Sequence, residues 1–215
     1  MRKLSLVMVL SGLAFSVLAQ TNDPAAKKVL DDVSAKFKTF KTVQASFSYK
    51  VEDGNGKAVS TKAGTIWMKG TKYKVVFGGQ EIYCDGKTVW NYDKNAKEVT
   101  INAVDGSGKG ITPQILFTNF YDKDFLYKLN GEKMVGNKTI QEIEMTPTDK
   151  SKNFHTVYLM VDKAAKTIYS TKVLENTGNR YTYTVSSMKT NGEMTDATFT
   201  FDKSKHPGVE EVDMR

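Results

Sequence analysis

The chain has 215 residues, a formal net charge of +7 and 40% hydrophobic residues, enough for one domain with one substantial core. Two of the positive charges, Arg2 and Lys3, lie at the N-terminus; the other lysines are scattered over turns and strand faces, with no basic block interleaved with aromatics, which excludes a nucleic-acid groove. A single cysteine, Cys84, excludes an internal disulfide, and with only His155 and His206 beside it the chain lacks the ligands of a zinc site.

Arg2-Lys3 precede an apolar run from Leu4 to Leu18, and Val17-Leu18-Ala19 forms a small-residue cleavage pattern before Gln20. This reads as a secretory signal peptide over 1–19. The run is too short for a comfortable membrane span, so an uncleaved anchor is the lesser reading. No cysteine follows the cut, so residues 20–215 are expected to form a single soluble domain outside the cytoplasm, without a lipid anchor.

Asp23-Pro24 is a helix start, with Asp capping free amides and Pro at the first helical position. Ala26, Val29, Leu30, Val33, Phe37 and Phe40 then recur at helical spacing, predicting an amphipathic helix that ends near Thr39. Val43, Ala45, Phe47, Tyr49 and Val51 alternate with polar residues and predict a strand with one buried face. Asp53-Gly54-Asn55-Gly56 turns the chain, and strands follow at Val59–Met68, Lys72–Phe77, Glu81–Cys84, Lys87–Tyr92 and Lys97–Ala103. Gly78-Gly79 and Asp85-Gly86 are hairpin signals between them. Cys84 falls in this alternation and reads as a buried structural thiol.

Gly106-Ser107-Gly108-Lys109-Gly110 interrupts the meander; it lacks the spacing and the Lys-Ser/Thr pair of a phosphate loop. Thr112-Pro113 predicts a short helix through Phe117, and Asn119–Asp124 a connection. Strands resume at Phe125–Leu129, Lys138–Met145, Phe154–Asp162, Thr167–Leu174, Arg180–Met188 and Ala197–Phe201, with Asn191-Gly192 as a hairpin turn and a polar tail from Lys203. A mainly β sheet of about eleven strands must curl to hide its apolar face. The economical solution is an incomplete, half-open antiparallel barrel with the two helical segments as its lid. Periodicity leaves open whether the concave face is a filled core or a ligand cavity.

Several motifs in this order carry a family resemblance: Val43-Gln44-Ala45-Ser46-Phe47, Val51-Glu52-Asp53-Gly54, Gly64-Thr65-Ile66-Trp67-Met68-Lys69, Asp85-Gly86-Lys87-Thr88-Val89-Trp90-Asn91-Tyr92, Ile111-Thr112-Pro113-Gln114-Ile115-Leu116, and the later Ala197-Thr198-Phe199-Thr200-Phe201 as a closing strand. Together they resemble the periplasmic outer-membrane lipoprotein carriers, the LolA family. The resemblance implies a half-open barrel under a helical lid and a monomeric periplasmic chaperone. Such a carrier takes the acyl chains of lipid-modified proteins from an inner-membrane lipoprotein-releasing ABC transporter and delivers them to an outer-membrane receptor. It implies no catalysis and no cofactor.

An acyl carrier needs a concave apolar shelter rather than a constellation of polar groups. The candidate lining is Phe47, Tyr49, Ile66, Trp67, Tyr73, Val75, Phe77, Tyr83, Val89, Trp90 and Tyr92, with Trp90 matching the family's lining pattern. Val29, Val33, Phe37, Ile115 and Leu116 are the candidate lid residues. One departure stands out. The family carries Arg-Pro after the Gly-x-x-Trp-x-Lys pattern, and that arginine bonds the lid; here Lys69 is followed by Gly70-Thr71. Gly70 donates no side-chain hydrogen bond, and Lys69 lacks the rigid fork of arginine and alternates to the other strand face. A lid held by apolar contacts and gated more loosely is the expectation.

Two other readings stay open. One is a lipid-binding or lipid-sensing module on the same scaffold that never hands cargo on. The other is a secreted enzyme using carboxylates among Glu81, Asp85, Asp93, Asp122 and Asp124; these sit in turns, and no nucleophile elbow accompanies them.

Overall fold

The structure is a computed structural model that describes residues 22–104 and 121–215. The leader at 1–19, the glycine-rich segment at 106–110 and the predicted helix at 112–117 lie outside the described residues. No described helix is long and apolar enough to cross a membrane.

Helix α1 spans Pro24–Lys38, within a residue of the expected ends. Asp23 caps it in extended conformation, one carboxylate oxygen accepting from the Ala25 amide at 2.8 Å. The other oxygen accepts from the Leu129 amide at 2.9 Å, and the Asp23 amide donates to the Tyr127 carbonyl at 3.1 Å. One residue therefore starts the helix and ties it to a strand edge. Thr39 closes it by donating from both its amide and its hydroxyl to the Lys36 carbonyl, beside Lys36 and Lys38, whose charges complement the helix dipole.

Among the described residues twelve strands form one sheet. In chain order they are β1 Val43–Glu52, β2 Ala58–Lys69, β3 Lys72–Phe77, β4 Gln80–Cys84, β5 Thr88–Asp93, β6 Glu98–Ala103, β7 Phe125–Val135, β8 Lys138–Pro147, β9 Phe154–Asp162, β10 Thr167–Glu175, β11 Arg180–Thr190 and β12 Glu210–Asp213. A second helix, α2 Tyr121–Asp124, is one turn where a plain connection was expected. The spatial order is β12-β6-β5-β4-β3-β2-β1-β11-β10-β9-β8-β7, so the sheet is unclosed, with β12 and β7 at its edges. Every pairing is antiparallel except that of β12 with β6. Two-residue turns join many neighbours; at β3–β4 both Gly78 and Gly79 have positive φ, a conformation that suits the twist of the flanking strands.

The ends of the chain depart from the expected pattern. Ala197–Phe201 is no strand: Asp196–Phe199 forms a 3-10 turn, with Phe199 wholly buried and Phe201 nearly so. Its apolar alternation is satisfied by packing on the sheet's outer face instead of by ladder pairing. The strand that does close this end is β12, in the tail that reads as merely polar. All its residues are exposed, so its pairing with β6 leaves no hydrophobic signature. Asn191-Gly192 likewise is not a hairpin turn; it leads β11 toward the 3-10 turn, the Asn191 side chain accepting from the Lys41 amide.

Three apolar clusters hold the fold. Ala26, Leu30 and Val33 of α1 pack on β7–β10 residues such as Phe125, Ile143, Met145 and Leu159. Phe37, from the last turn of α1, joins Val43, Met68, Tyr73, Val75 and Cys84 on the inner face of β1–β4. Tyr83, Tyr92 and Val99 form a third cluster on the outer face, covered by Phe201 and Val209 of the tail. Burying each of Leu30 and Val33 stabilises by about 1.5–3 kcal/mol, which is what seats the helix.

Asp162 ends β9 and is buried, accepting from the Ala165 amide at 3.0 Å and facing the Lys138 ammonium at 2.9 Å. The backbone donor first and Lys138 second hold its carboxyl below the usual aspartate range. A depressed folded pKa contributes stability that is present above the unfolded value and lost as pH falls through the folded one. Asp162→Asn is therefore expected to lower the urea midpoint at neutral pH, with the gap to the parent shrinking in acid below the ordinary aspartate range. Urea melts across a pH series measure it; a pH-independent gap contradicts it.

Candidate functional site

Between the first two clusters the described residues leave a cavity of about 650 Å³ on the inner face. The alternation of each strand decides what it sees. From β1 come Val43, Ala45, Phe47 and Tyr49, from β2 Ile66 and Met68, from β3 Tyr73, Val75 and Phe77. Ile82 of β4 pairs with Asn91 of β5, and Cys84 with Val89, so Val89 and Asn91 face inward. Asn153, Phe154, Ile168, Thr171, Val173, Glu175, Tyr181, Tyr183, Val185 and Met188 complete the far wall, and Phe37 descends from α1.

Seven of the expected lining residues meet here: Phe47, Tyr49, Ile66, Tyr73, Val75, Phe77 and Val89. Trp67, Tyr83, Trp90 and Tyr92 do not line it. Each sits one residue out of phase with an inward neighbour and so belongs to the outer face. Tyr83, Trp90 and Tyr92 pack under the tail, and Trp67 borders a smaller outer recess with Gln44, Lys189 and Met194. Of the expected lid residues, Phe37 reaches the cavity, Val33 is core and Val29 flanks that core; Ile115 and Leu116 lie outside the described residues. The β10–β11 wall was missed because its inward residues, among them Thr171, Glu175, Tyr181 and Tyr183, mix polar with aromatic groups.

Lys69 and Gly70 sit at the β2–β3 hairpin. Lys69 donates to the Met194 carbonyl at 3.0 Å and pairs with Asp196 at 3.0 Å, and Lys72 reaches the same carboxylate at 2.6 Å. Both lysines hold the 3-10 turn to the outer face. Gly70 sits in the β2–β3 turn at φ +57°, a conformation an arginine would adopt only under strain.

The cavity is mostly apolar, and its one charged side chain among the described residues lies with a cluster of phenols on β1, β10 and β11. There Tyr49 stacks on Tyr181, ring centroids 5.9 Å apart and 6° from parallel, and lies 4.9 Å from Tyr183 and 5.9 Å from Phe77. The Tyr181 hydroxyl donates to Glu175 at 3.2 Å. Burial, and then the neighbouring phenols and Glu175, push the Tyr49 pKa up to about 12 and raise that of Tyr183. These phenols are neutral donors at any physiological pH.

Three of the five carboxylates a catalytic reading would use are engaged elsewhere, and the side chain of Asp122 lies outside the described residues. Asp85 and Asp93 accept backbone amides of their own turns, and Glu81 is held by Tyr83, Lys74 and Lys94 on the outer face. Cys84 is 1% exposed, and burial pushes its thiol pKa up. His206 stacks on Phe201 at 4.6 Å.

Residues 38–202 match the family described as outer membrane lipoprotein carrier protein LolA. Proteins named outer-membrane lipoprotein carrier protein are similar along the chain: that of Klebsiella pneumoniae subsp. pneumoniae is 27% identical over 219 residues, covering 98% of each, and that of Serratia proteamaculans is 28% identical over 162 residues, covering 74% of this chain and 76% of its own. Among solved structures, an uncharacterized conserved protein from Thermus thermophilus shares the fold at a TM-score of 0.60 and 14% identity, over 88% of this chain and 99% of that one.

Gly64 of β2 pairs with Phe47 and lies under its ring, where an added Cβ would meet Phe47 Cζ at 2.5 Å and Phe77 Cβ at 2.9 Å. The missing side chain makes room for both rings in the wall. Gly64→Ala is expected to destabilise the protein by about 1–3 kcal/mol through overpacking, read from urea melts. An unchanged midpoint would show that the rings relax freely into the cavity.

Proposed function

This chain belongs to the LolA family of outer-membrane lipoprotein carriers, and from that premise we propose that its inner cavity shelters the acyl chains of a lipid-modified protein between the inner and the outer membrane. As a member of that family it is a periplasmic transport protein and not an enzyme. The observation that carries the finer reading is the apolar cavity of about 650 Å³, within the range of about 300–1,000 Å³ typical of ligand sites. Each methylene left in water costs about 0.8 kcal/mol, so chains with tens of carbons cannot cross an aqueous gap unaided. The lining supplies what such chains need: Val43, Ala45, Ile66, Met68, Val75 and Val185 offer a surface without direction, so that one site fits tails of different length.

In this reading the cargo comes from an inner-membrane ATP-driven releasing complex and leaves to an outer-membrane acceptor. The carrier hydrolyses nothing. Its task is to bind tightly enough to keep water out and weakly enough to surrender the load.

The test is transfer. Protein incubated with spheroplasts is expected to leave with a lipoprotein in a stable complex, seen by native mass spectrometry, and to give it up to outer-membrane vesicles. Binding that persists without release overturns the carrier reading in favour of a sensing module, and no aliphatic adduct at all removes the acyl site. Phe47→Gln, in the wall, is expected to weaken acyl binding at least about tenfold, whereas Trp90→Gln, on the outer face, leaves it unchanged. Equal losses in the two variants contradict the assignment of the inner face.

A further inference from the structure

We propose that Glu175, with Tyr49, Tyr181 and Tyr183, forms an ammonium subsite in the cavity wall, so that the preferred cargo carries a primary ammonium beside its acyl chains. This rests on the cavity being an acyl site.

Glu175 is the single charged side chain lining the cavity among the described residues, in a chain that carries 31 lysines and arginines. The other half-buried or buried sheet glutamates each face lysine. Glu52 has Lys50 at 3.0 Å and Lys172 at 3.7 Å, Glu81 has Lys94 at 3.5 Å and Lys74 at 3.6 Å, Glu142 has Lys133 at 3.1 Å, and Glu144 has Lys128 at 3.3 Å. Among the described residues Glu175 has no cation. Its two side-chain hydrogen bonds, from the hydroxyls of Tyr181 at 3.2 Å and Thr177 at 3.1 Å, both fall on Oε2. Among the described residues Oε1 has no side-chain donor.

Glu175 thus sets a half-buried negative charge at the rim of an apolar cavity, where attraction to a bound cation is less screened than in open water. The three phenols beside it add electron-rich ring faces, the other element of ammonium recognition. Tyr183, 41% exposed, stands toward solvent, while Tyr49 and Tyr181 stack behind it. Tails directed toward Val75 and Val89 leave the head of a lipid to be met by this cluster. An ammonium there completes the ion pair. An N-acylated amine offers a weaker neutral donor, and an anionic head is repelled.

Two sources carry this chemistry: the free α-amine of a diacylglyceryl-cysteine at the start of a lipoprotein, and the ethanolamine head of a phospholipid. The experiment uses the protein freed of lipid and a fluorescent fatty-acid probe, displaced by a diacylglyceryl-cysteine peptide or its N-acetylated twin, and in parallel by phosphatidylethanolamine or its N-acetylated form. The free amine is expected to bind about tenfold or more tightly than its twin in at least one pair, as for a charge-assisted hydrogen bond. The pair that discriminates identifies the source. Glu175→Gln is expected to collapse the ratio, Tyr181→Phe to reduce it, and Glu175→Asp, which keeps the charge, to retain most of it. Equal affinities within both pairs, or a ratio intact in Glu175→Gln, overturn the subsite while leaving acyl binding in place. Failure of the probe itself to bind overturns the acyl site as well.

Discussion

A long antiparallel ladder assigns every side chain to one of two surfaces, and in this protein both surfaces carry aromatic and aliphatic groups. That constraint governs the rest. An unclosed sheet of twelve strands has two faces to protect, and the chain covers them by different means. On the inside, α1 covers the β7–β10 half, Phe37 from its last turn reaches toward β1–β4, and among the described residues a cavity lies between. On the outside, the tail covers Tyr83 and Tyr92 with Phe201 and Val209. Among the described residues one face is covered in part by a helix and the other by a strap of chain.

The strap is fastened by charge. Lys69 and Lys72 grip Asp196 and so fix the 3-10 turn that carries Phe199 into its buried position. In the family resemblance the position after Lys69 is where a gating arginine belongs. Here that position is a tight turn, and the neighbouring lysine looks outward. The local chemistry of this hairpin serves the outer seal.

Much of the fold is legible in the sequence, because strong alternation and glycine or aspartate turns mark most strands to within a residue or two. The helix was equally plain, from a cap, a proline and one apolar stripe. What escaped was whatever alternation does not encode. β12 consists of Glu210–Asp213, all exposed, and its pairing is purely a matter of backbone. Ala197–Phe201 alternates like a strand but buries its rings without a ladder. The cavity was half legible. Alternation separates Val89 from Trp90 with certainty, yet does not say which set faces the hollow, since large aromatics occupy both. Family resemblance pointed to Trp90, whereas the pairing of Cys84 with Val89 turns Trp90 outward. The wall from β10 and β11 was hidden by its own polarity.

The double use of Asp23 has a mechanical consequence. Its carboxylate fastens one end of α1 to the β7 edge, and four residues beyond the other end the chain enters β1. A helix of 15 residues is a rod about 22 Å long, stiff along its axis. It acts as a tie-beam across the β7–β1 half of the gutter and fixes that span, so the wall cannot splay there without breaking the cap. The opposite bank, β2 to β6, lies outside the span that this beam fixes.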